Sequence, residues 1–463
     1  LSSTVVAGHR LDRSTVPLLV TLGLGVFAGA LDLGVLSPAL PALGAQFGIG
    51  ARDLPWVFTL YLLANVVAIP VMSKLADRNG RRPIYILCMT IFAIGSLIAI
   101  LSPNFTTFLA ARAIQAIGAG GIFPVATAAI GDRVPAERRG AALGLVAATW
   151  GLAAVIGPNV GGILTHLFSW HWIFIANIPL AIVVIALART TVPANAANVR
   201  GPLDVVGIVL LASALVGIML GLTQYDVTGA TSNLRPRLEL VAGIACILAF
   251  IAVERRVPEP VIPPRFFADR QLALVYGLEI LIGILEGALF FIPAALVAGQ
   301  HLSTAAAGGI AAIGAFMFVA VIPAAGRALD AIGSRAVLGA GSTLTAAGLA
   351  LFAFGFTNLG LSVAAMIVAG TGFGALLGAP TRYIVTNRAG SAQRASAVGL
   401  LSVCLILGQI LGGSLAGGVA GSQHDDLLGF RNAYEWFAAI AIVTALLTFA
   451  LYDKERERAS ARA

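Results

Sequence analysis

Residues 73–83 read SKLADRNGRRP, a short polar stretch that ends one long apolar run and precedes the next. Asp77 follows the first run directly, Gly80 permits a tight reversal, and Arg78, Arg81 and Arg82 flank it. A carboxylate so placed can meet the positive N-terminus of a neighbouring helix, and each arginine can pair across a gate. Basic residues that only fix topology are the plainer reading, but an acid and a glycine at these positions add nothing to topology. The stretch has an answer 253 residues later. There GRALDAIGSR, residues 326–335, sets Asp330 in the place of Asp77, with Arg335 beyond it.

The offset recurs inside the apolar runs. Asp32 interrupts Pro17–Leu43, and Glu286 interrupts Gln271–Gln300, 254 residues apart. A carboxyl at membrane depth costs about 3 kcal/mol on insertion scales, so such a residue usually lines a pathway or carries a proton. A repeated pair of them points to a transporter built from two bundles.

Composition fixes the class. Apolar residues make up 59% of the chain and charged residues 11%, with a mean hydropathy of +0.94; a soluble protein carries about a quarter charged residues. Fourteen apolar spans are expected, from 17–43 to 432–452 and including 54–73, 271–298 and 359–381. Each is near the about 20 residues that cross the hydrocarbon core. Placing 73–83 in the cytoplasm puts 24 of the 29 Lys and Arg on that side or on the tails. Arg52, Arg235, Arg237 and Arg431 fall outside, and Arg112 sits within a span. The net charge of +8 therefore sets topology rather than binding nucleic acid. Cys88, Cys246 and Cys404 all lie in apolar runs, so neither a disulfide frame nor a metal site is expected. The polar first twelve residues meet a full-length span, which does not read as a cleavable signal peptide.

The expected architecture is an all-α membrane protein of two pseudo-symmetric six-helix bundles plus a two-helix insertion. Residues 1–190 form the first bundle, 191–256 the inserted hairpin with its linker, and 257–463 the second bundle with a short tail. Besides the paired acids, AERRGAALG at 136–144 matches AQRASAVG at 392–399. Parallel repeats of this kind put the site at midplane between the halves. The proline-rich linker ERRVPEPVIPPRFFADR reads as a hinge or tether.

Helical rise places Asp32 about 16 Å and Glu286 about 18 Å from the outer ends of their spans, with Arg112 about 9 Å down its own. Arg112 can therefore reach Asp32. The pair reads either as a proton-coupling couple, in which protonating Asp32 frees the guanidinium, or as a fixed ion pair. Glu286 titrates or merely lines the pore. Glu279, two turns away on nearly the same face, extends a proton path or lines a cavity. In the fifth span Gly144, Gly151, Gly157, Pro158, Gly161 and Gly162 suit a bent, closely packed helix that seals one side, or ordinary helix packing. Trp150, Phe290 and Phe291 are candidate walls of an apolar cavity. Neither a nucleophile triad nor a phosphate loop is visible, so no enzyme is expected.

These motifs resemble the Major Facilitator Superfamily, and within it the fourteen-helix drug:proton antiporters, along nearly the whole chain. Ser73–Arg82 looks like the loop signature G-x-L-[SA]-D-R-x-G-R-[RK], with Ser73 for the first glycine. Gly144-x8-Ala153-x3-Gly157-Pro158-x2-Gly161-Gly162 is similar to the antiporter signature of the fifth helix, with Ala153 for one glycine. Arg112-x2-Gln115-Ala-x-Gly118-x-Gly120 looks like the fourth-helix motif R-x2-Q-G-x-G-A-G, Ala116 departing from it. Leu31-Asp32 followed by Ala39-Leu40-Pro41 resembles the first-helix motif, with Gly34 and Ser37 for the usual Thr and Asn. The resemblance implies alternating access, export, a proton-coupling role for Arg112 and Gln115 at the cavity. The expectation is thus a proton-gradient-driven exporter of amphipathic small molecules, without a cofactor and acting as a monomer. Its partners would be substrate, protons and membrane lipids. It would lie in a plasma membrane (a bacterial inner membrane) with both termini cytoplasmic. A lipid or glycolipid exporter of the same fold is the alternative.

Overall fold

The computed structural model describes residues 15–49, 56–194, 204–223, 234–258, 260–289, 291–421 and 426–456. The first half holds α1 (Val16–Val35), α2 (Leu40–Phe47), α3 (Trp56–Asn79), α4 (Arg81–Ile100), α5 (Phe105–Arg133), α6 (Ala136–Leu167) and α7 (His171–Thr191). A hairpin follows, α8 (Val205–Thr223) and α9 (Arg235–Glu254). The second half holds α10 (Arg265–Ala268), α11 (Arg270–Leu289), α12 (Ile292–Gln300), α13 (Thr304–Ile332) and α14 (Ser334–Gly355). It continues through α15 (Leu359–Leu377), α16 (Pro380–Arg388), α17 (Arg394–Gly421) and α18 (Asp426–Thr448). No strand occurs among the described residues. Ten helices there are long and apolar enough to cross a membrane, and Val16–Asp32 and Val205–Gly221 are shorter apolar helices.

Local signals set the helix ends. Asn104, Ser303 and Asn358 cap α5, α13 and α15 by accepting the amides of Thr107, Ala306 and Leu361 at 2.9, 3.2 and 3.1 Å. Gly80 and Gly333 are single-residue joints, α3 to α4 and α13 to α14, with φ of +96° and +87°. Only glycine enters that region readily, which is why the reversal needs it.

Three spans expected as continuous are broken. The first two breaks fall at equivalent places, since α1 ends at Val35 and α11 at Leu289, 254 residues apart. Pro38, Pro41 and Pro293 follow them; proline brings no amide to continue the ladder but suits the start of a new helix. The third break lies between α15 and α16, where Pro380 restarts the chain. Conversely, Asp77, expected just beyond its span, belongs to the last turn of α3.

Packing repeats between the halves. In the first, α1 lies on α6 and α7, α3 on α5, and α4 on α5 and α7. In the second, α11 lies on α17 and α18, α13 on α15, and α14 on α15 and α18. One close crossing repeats to the atom. A Cβ on Gly95 would stand 2.5 Å from the Gln115 nitrogen, and one on Gly348 2.4 Å from the Ala369 nitrogen. Membrane helices use such glycines because close van der Waals packing replaces the hydrophobic drive that lipid removes. Two seams join the halves, α3 with α17 and α6 with α13. The hairpin covers the first, α8 packing on both α3 and α17.

Candidate functional site

Asp32 is built into a closed polar network drawn from four helices. Arg112 of α5 donates from Nη1 to Asp32 Oδ2 at 2.6 Å. Gln115, one turn along α5, donates from Nε2 to Asp32 Oδ1 at 2.8 Å and to Ser96 Oγ of α4 at 2.9 Å. Asn177 of α7 donates to Asp32 Oδ1 at 3.0 Å. The Gln115 side chain also accepts from Arg112 Nη1, so one amide serves both charges. Asp32, Arg112 and Gln115 are each at most 1% exposed. Arg112 Nε and Nη2 have no hydrogen-bond acceptor; instead the guanidinium lies 4.3 Å from the Tyr61 ring centroid, a cation–π contact. An ion pair survives burial only when its remaining valences are met in some such way.

Tyr61 is also the boundary of a cavity of ≈ 190 Å³ between the halves. Its wall is mostly apolar, including Phe123, Trp150 and Phe318, with polar groups from Tyr61, Asn65, Glu286, Arg382, Ser402 and Gln409. The network of Asp32 thus stands one side chain behind the wall, whereas Glu286 stands in it. Glu286 Oε2 has no hydrogen-bond partner, and neither has either carboxylate oxygen of Glu279. Glu279 is 1% exposed. Arg382, 7% exposed, acts electrostatically on both acids. Its Nη1 donates to the Leu377 carbonyl at 2.9 Å, its Nε lacks an acceptor, and its guanidinium lies 4.7 Å from the Phe123 ring centroid across the interface.

At one end of the molecule, two carboxylates clamp the halves together in mirrored fashion. Asp77 accepts the amides of Ala395 and Ser396, in the first turn of α17, at 2.9 and 2.7 Å. Asp330 accepts those of Gly140 and Ala141, near the start of α6, at 3.0 and 2.9 Å. The first exploits unpaired N–H groups at the positive end of α17, whereas the second meets amides in the second turn of α6. Arg81 reinforces the first clamp, pairing with Asp77 at 2.5 Å and Asp132 at 2.9 Å and donating to the Ser391 carbonyl at 2.8 Å. Arg394 pairs with Asp132 from the other half. Nearby, Arg388 binds Asp269 at 2.5 Å. Burial alone would raise the Asp269 carboxyl, but Arg388 and the amides of Leu272 and Gln271 hold it below the usual carboxylate range.

The remaining candidates divide. Arg82 donates to the Val192 carbonyl at 2.7 Å, Arg335 stacks on Phe449 at 5.3 Å, and Arg78 is half-buried beside the clamp. Gly157 and Gly161 press on α1: added Cβ atoms would stand 3.0 Å from Gly34 Cα and 1.9 Å from the Val35 carbonyl oxygen. Gly162 would meet only Pro38, at 3.9 Å, and α6 runs unbroken through Pro158. That part of the glycine motif therefore fixes α1 against α6 just beyond Asp32, within one half. Gln115 belongs to the buried network, Trp150 to the cavity, and Phe291 to the apolar core of the second half. Phe290 lies outside the described residues.

Arg382 was hidden by one residue of span boundary. A span ending at 381 assigns it to the basic cytoplasmic set, whereas the break at Gly378 and Ala379 turns it into the cavity wall. Pro380 marked that break. Asn177 and Ser96 carried no signal beyond being polar residues within apolar runs. The linker is held, too: Lys74 of α3 donates to the Pro260 carbonyl at 2.8 Å, and Glu254 accepts the Val261 amide at 2.9 Å.

A family model described as the Major Facilitator Superfamily matches residues 22–320 and 272–463. An uncharacterized MFS-type transporter of Bacillus subtilis (strain 168), YfiU, is 32% identical over 419 residues, covering 87% of this chain and 79% of that protein. A multidrug resistance protein B homolog of Mycobacterium tuberculosis is 29% identical, covering 74% of this chain and 65% of that protein. The efflux pump dotC of Dothistroma septosporum is 34% identical, covering 55% and 45%. The chain thus spans less than two thirds of the length of the last two. Among solved structures, the human organic anion transporter MFSD10 (TETRAN) matches with a TM-score of 0.70 at 16% identity, covering 95% of this chain and 100% of that one. The proton:xylose symporter XylE matches at 0.62 and 14% identity, covering 95% and 96%.

Proposed function

The chain belongs to the Major Facilitator Superfamily and is a multi-pass membrane transporter rather than an enzyme, and from that premise we propose that it exports amphipathic cations in exchange for protons. In this reading it is a fourteen-span drug:proton antiporter, two six-helix bundles with an inserted hairpin. The clamp end and both termini face the cytoplasm of a bacterial cell. Efflux and multidrug-resistance relatives at about 30% identity are consistent with it. It needs no cofactor, because the proton gradient supplies the work.

The observation that carries the proposal is Glu286: a carboxylate with an unpartnered oxygen in an otherwise mostly apolar cavity between the halves. Apolar pockets with few polar groups take their specificity from those groups. Glu286 holds the cation until a proton replaces it. Asp32 takes the coupled proton; neutralising it dissolves the bond that fixes Arg112 and loosens α1 from α4, α5 and α7. The halves then exchange between a state closed at the clamps and one open there, each ligand favouring the state that binds it better.

The test is efflux of ethidium from proteoliposomes under an imposed pH gradient. Glu286→Gln should cut its transport at least tenfold while the protein keeps its melting temperature within a few degrees. Undiminished ethidium transport by that variant would remove Glu286 from the mechanism.

A further inference from the structure

The α6–α13 seam is closed near the clamps and open beyond them. On the closed stretch an added Cβ at Gly144 would stand 3.1 Å from Gly326 Cα, and one at Gly151 2.9 Å from Val319 Cγ2. Farther along α6 the tight glycines Gly157 and Gly161 face α1 instead. Beside Trp150 and Gly151, where the closed stretch ends, lies a second cavity of ≈ 420 Å³. It shares Trp150, Glu286, Phe318 and Leu377 with the central cavity, and among the described residues of its wall Glu286 is the sole charged one.

At the far end of this wall, Gly308 of α13 is not there for packing, unlike Gly314, which packs against Met366 and Gly370 of α15. A Cβ at Gly308 would meet no atom within 4 Å, in contrast to Gly144 and Gly151. Ala312, a turn farther along, is exposed, so the chamber opens on the flank of the molecule. The other seam is covered: α8 lies over it, and Gly399 would place a Cβ 2.3 Å from Ser73 Oγ. An apolar side chamber with a carboxylate at its inner mouth is the shape of an amphiphile, charged at one end and oily at the other.

We propose that this chamber receives the alkyl chain of the transported cation, whose charged head pairs with Glu286 where the two cavities join. The proposal rests on the reading of Glu286 as the cation-binding acid and adds the substrate class, cations bearing a linear apolar tail. Each methylene that enters the chamber should tighten binding about threefold to fourfold.

The test is equilibrium binding of n-alkyltrimethylammonium ions, two to ten carbons long, to the protein in nanodiscs. In the wild type, affinity should rise stepwise with chain length. Gly308→Leu fills open space and should leave the two-carbon ion unaffected while weakening the ten-carbon ion at least tenfold. Ala312→Phe, on the flank, should act in the same direction. Glu286→Gln should weaken every chain alike and keep the slope. A flat series in the wild type, as when a bilayer lipid holds the chamber, overturns the proposal. So does an unchanged slope in both filled variants, and in that case the head site at Glu286 still stands. Failure of every cation to bind overturns the reading of Glu286 together with this one.

Discussion

At the scale of residues, the charges of the two halves differ in kind although their positions repeat. Asp32 is met by Arg112, Gln115 and Asn177. Glu286 and Glu279 share Arg382 at a distance, and three of their four carboxylate oxygens lack a hydrogen bond. A buried acid without a partner is an unstable arrangement unless the site is meant to bind something or exchange a proton. Removing the arginine should therefore hurt more than removing an acid. Arg382→Gln should lower the melting temperature by several degrees and transport at least tenfold. Adding Glu279→Gln should restore much of the stability but not the transport, a non-additivity that a double-mutant cycle measures. Additive melting shifts would mean that the two side chains do not interact. The acids themselves were legible in the sequence because charge inside an apolar run is rare. The Arg112–Asp32 contact followed from helical rise alone. Arg382 was not legible, because a helix break moved it inward and hydropathy does not see breaks of two residues.

At the scale of elements, the clamps are the feature proposed to set which state is populated. Each joins a carboxylate on one half to two amides within the first two turns of a helix on the other. Hydrogen bonds to a charged group contribute about 1.5–3 kcal/mol each, so one clamp is of the same size as the few kcal/mol that separate two conformations of a protein. Asp77→Asn should widen the distance between spin labels at the exposed Arg133 and Ala392, and Asp330→Asn combined with it should widen the distance further. Binding of a cation to the closed state should change less than threefold. An unaltered distance distribution in the double variant would show that the carboxylates do not hold this end shut. The sequence announced these elements through the repeated Asp and Gly, and the structure adds a repeat of backbone conformation at Gly80 and Gly333. What each Asp caps was not legible, since its partner lies more than 180 residues away and the offset relates equivalent positions, not contacts.

At the scale of the whole molecule, one seam is covered and clamped and the other is clamped at one end and hollow at the other. The hairpin belongs to this asymmetry. It lies on α3 and α17, and its linker is fastened to Lys74 of α3, the helix that carries Asp77. An otherwise two-fold arrangement is thereby left with one open flank, at the chamber beside Glu286. The account depends most on Asp32, the acid proposed to couple protons without lining the cavity. The measurement that tests it most directly is ethidium flux in proteoliposomes, with and without a pH gradient, for the wild type and Asp32→Asn. Gradient-driven flux in the wild type, with the variant reduced to gradient-independent leak and unchanged in cation affinity, is the predicted result. Gradient-driven flux of equal size in the two proteins would contradict it, and the buried network would then be a structural ion pair alone.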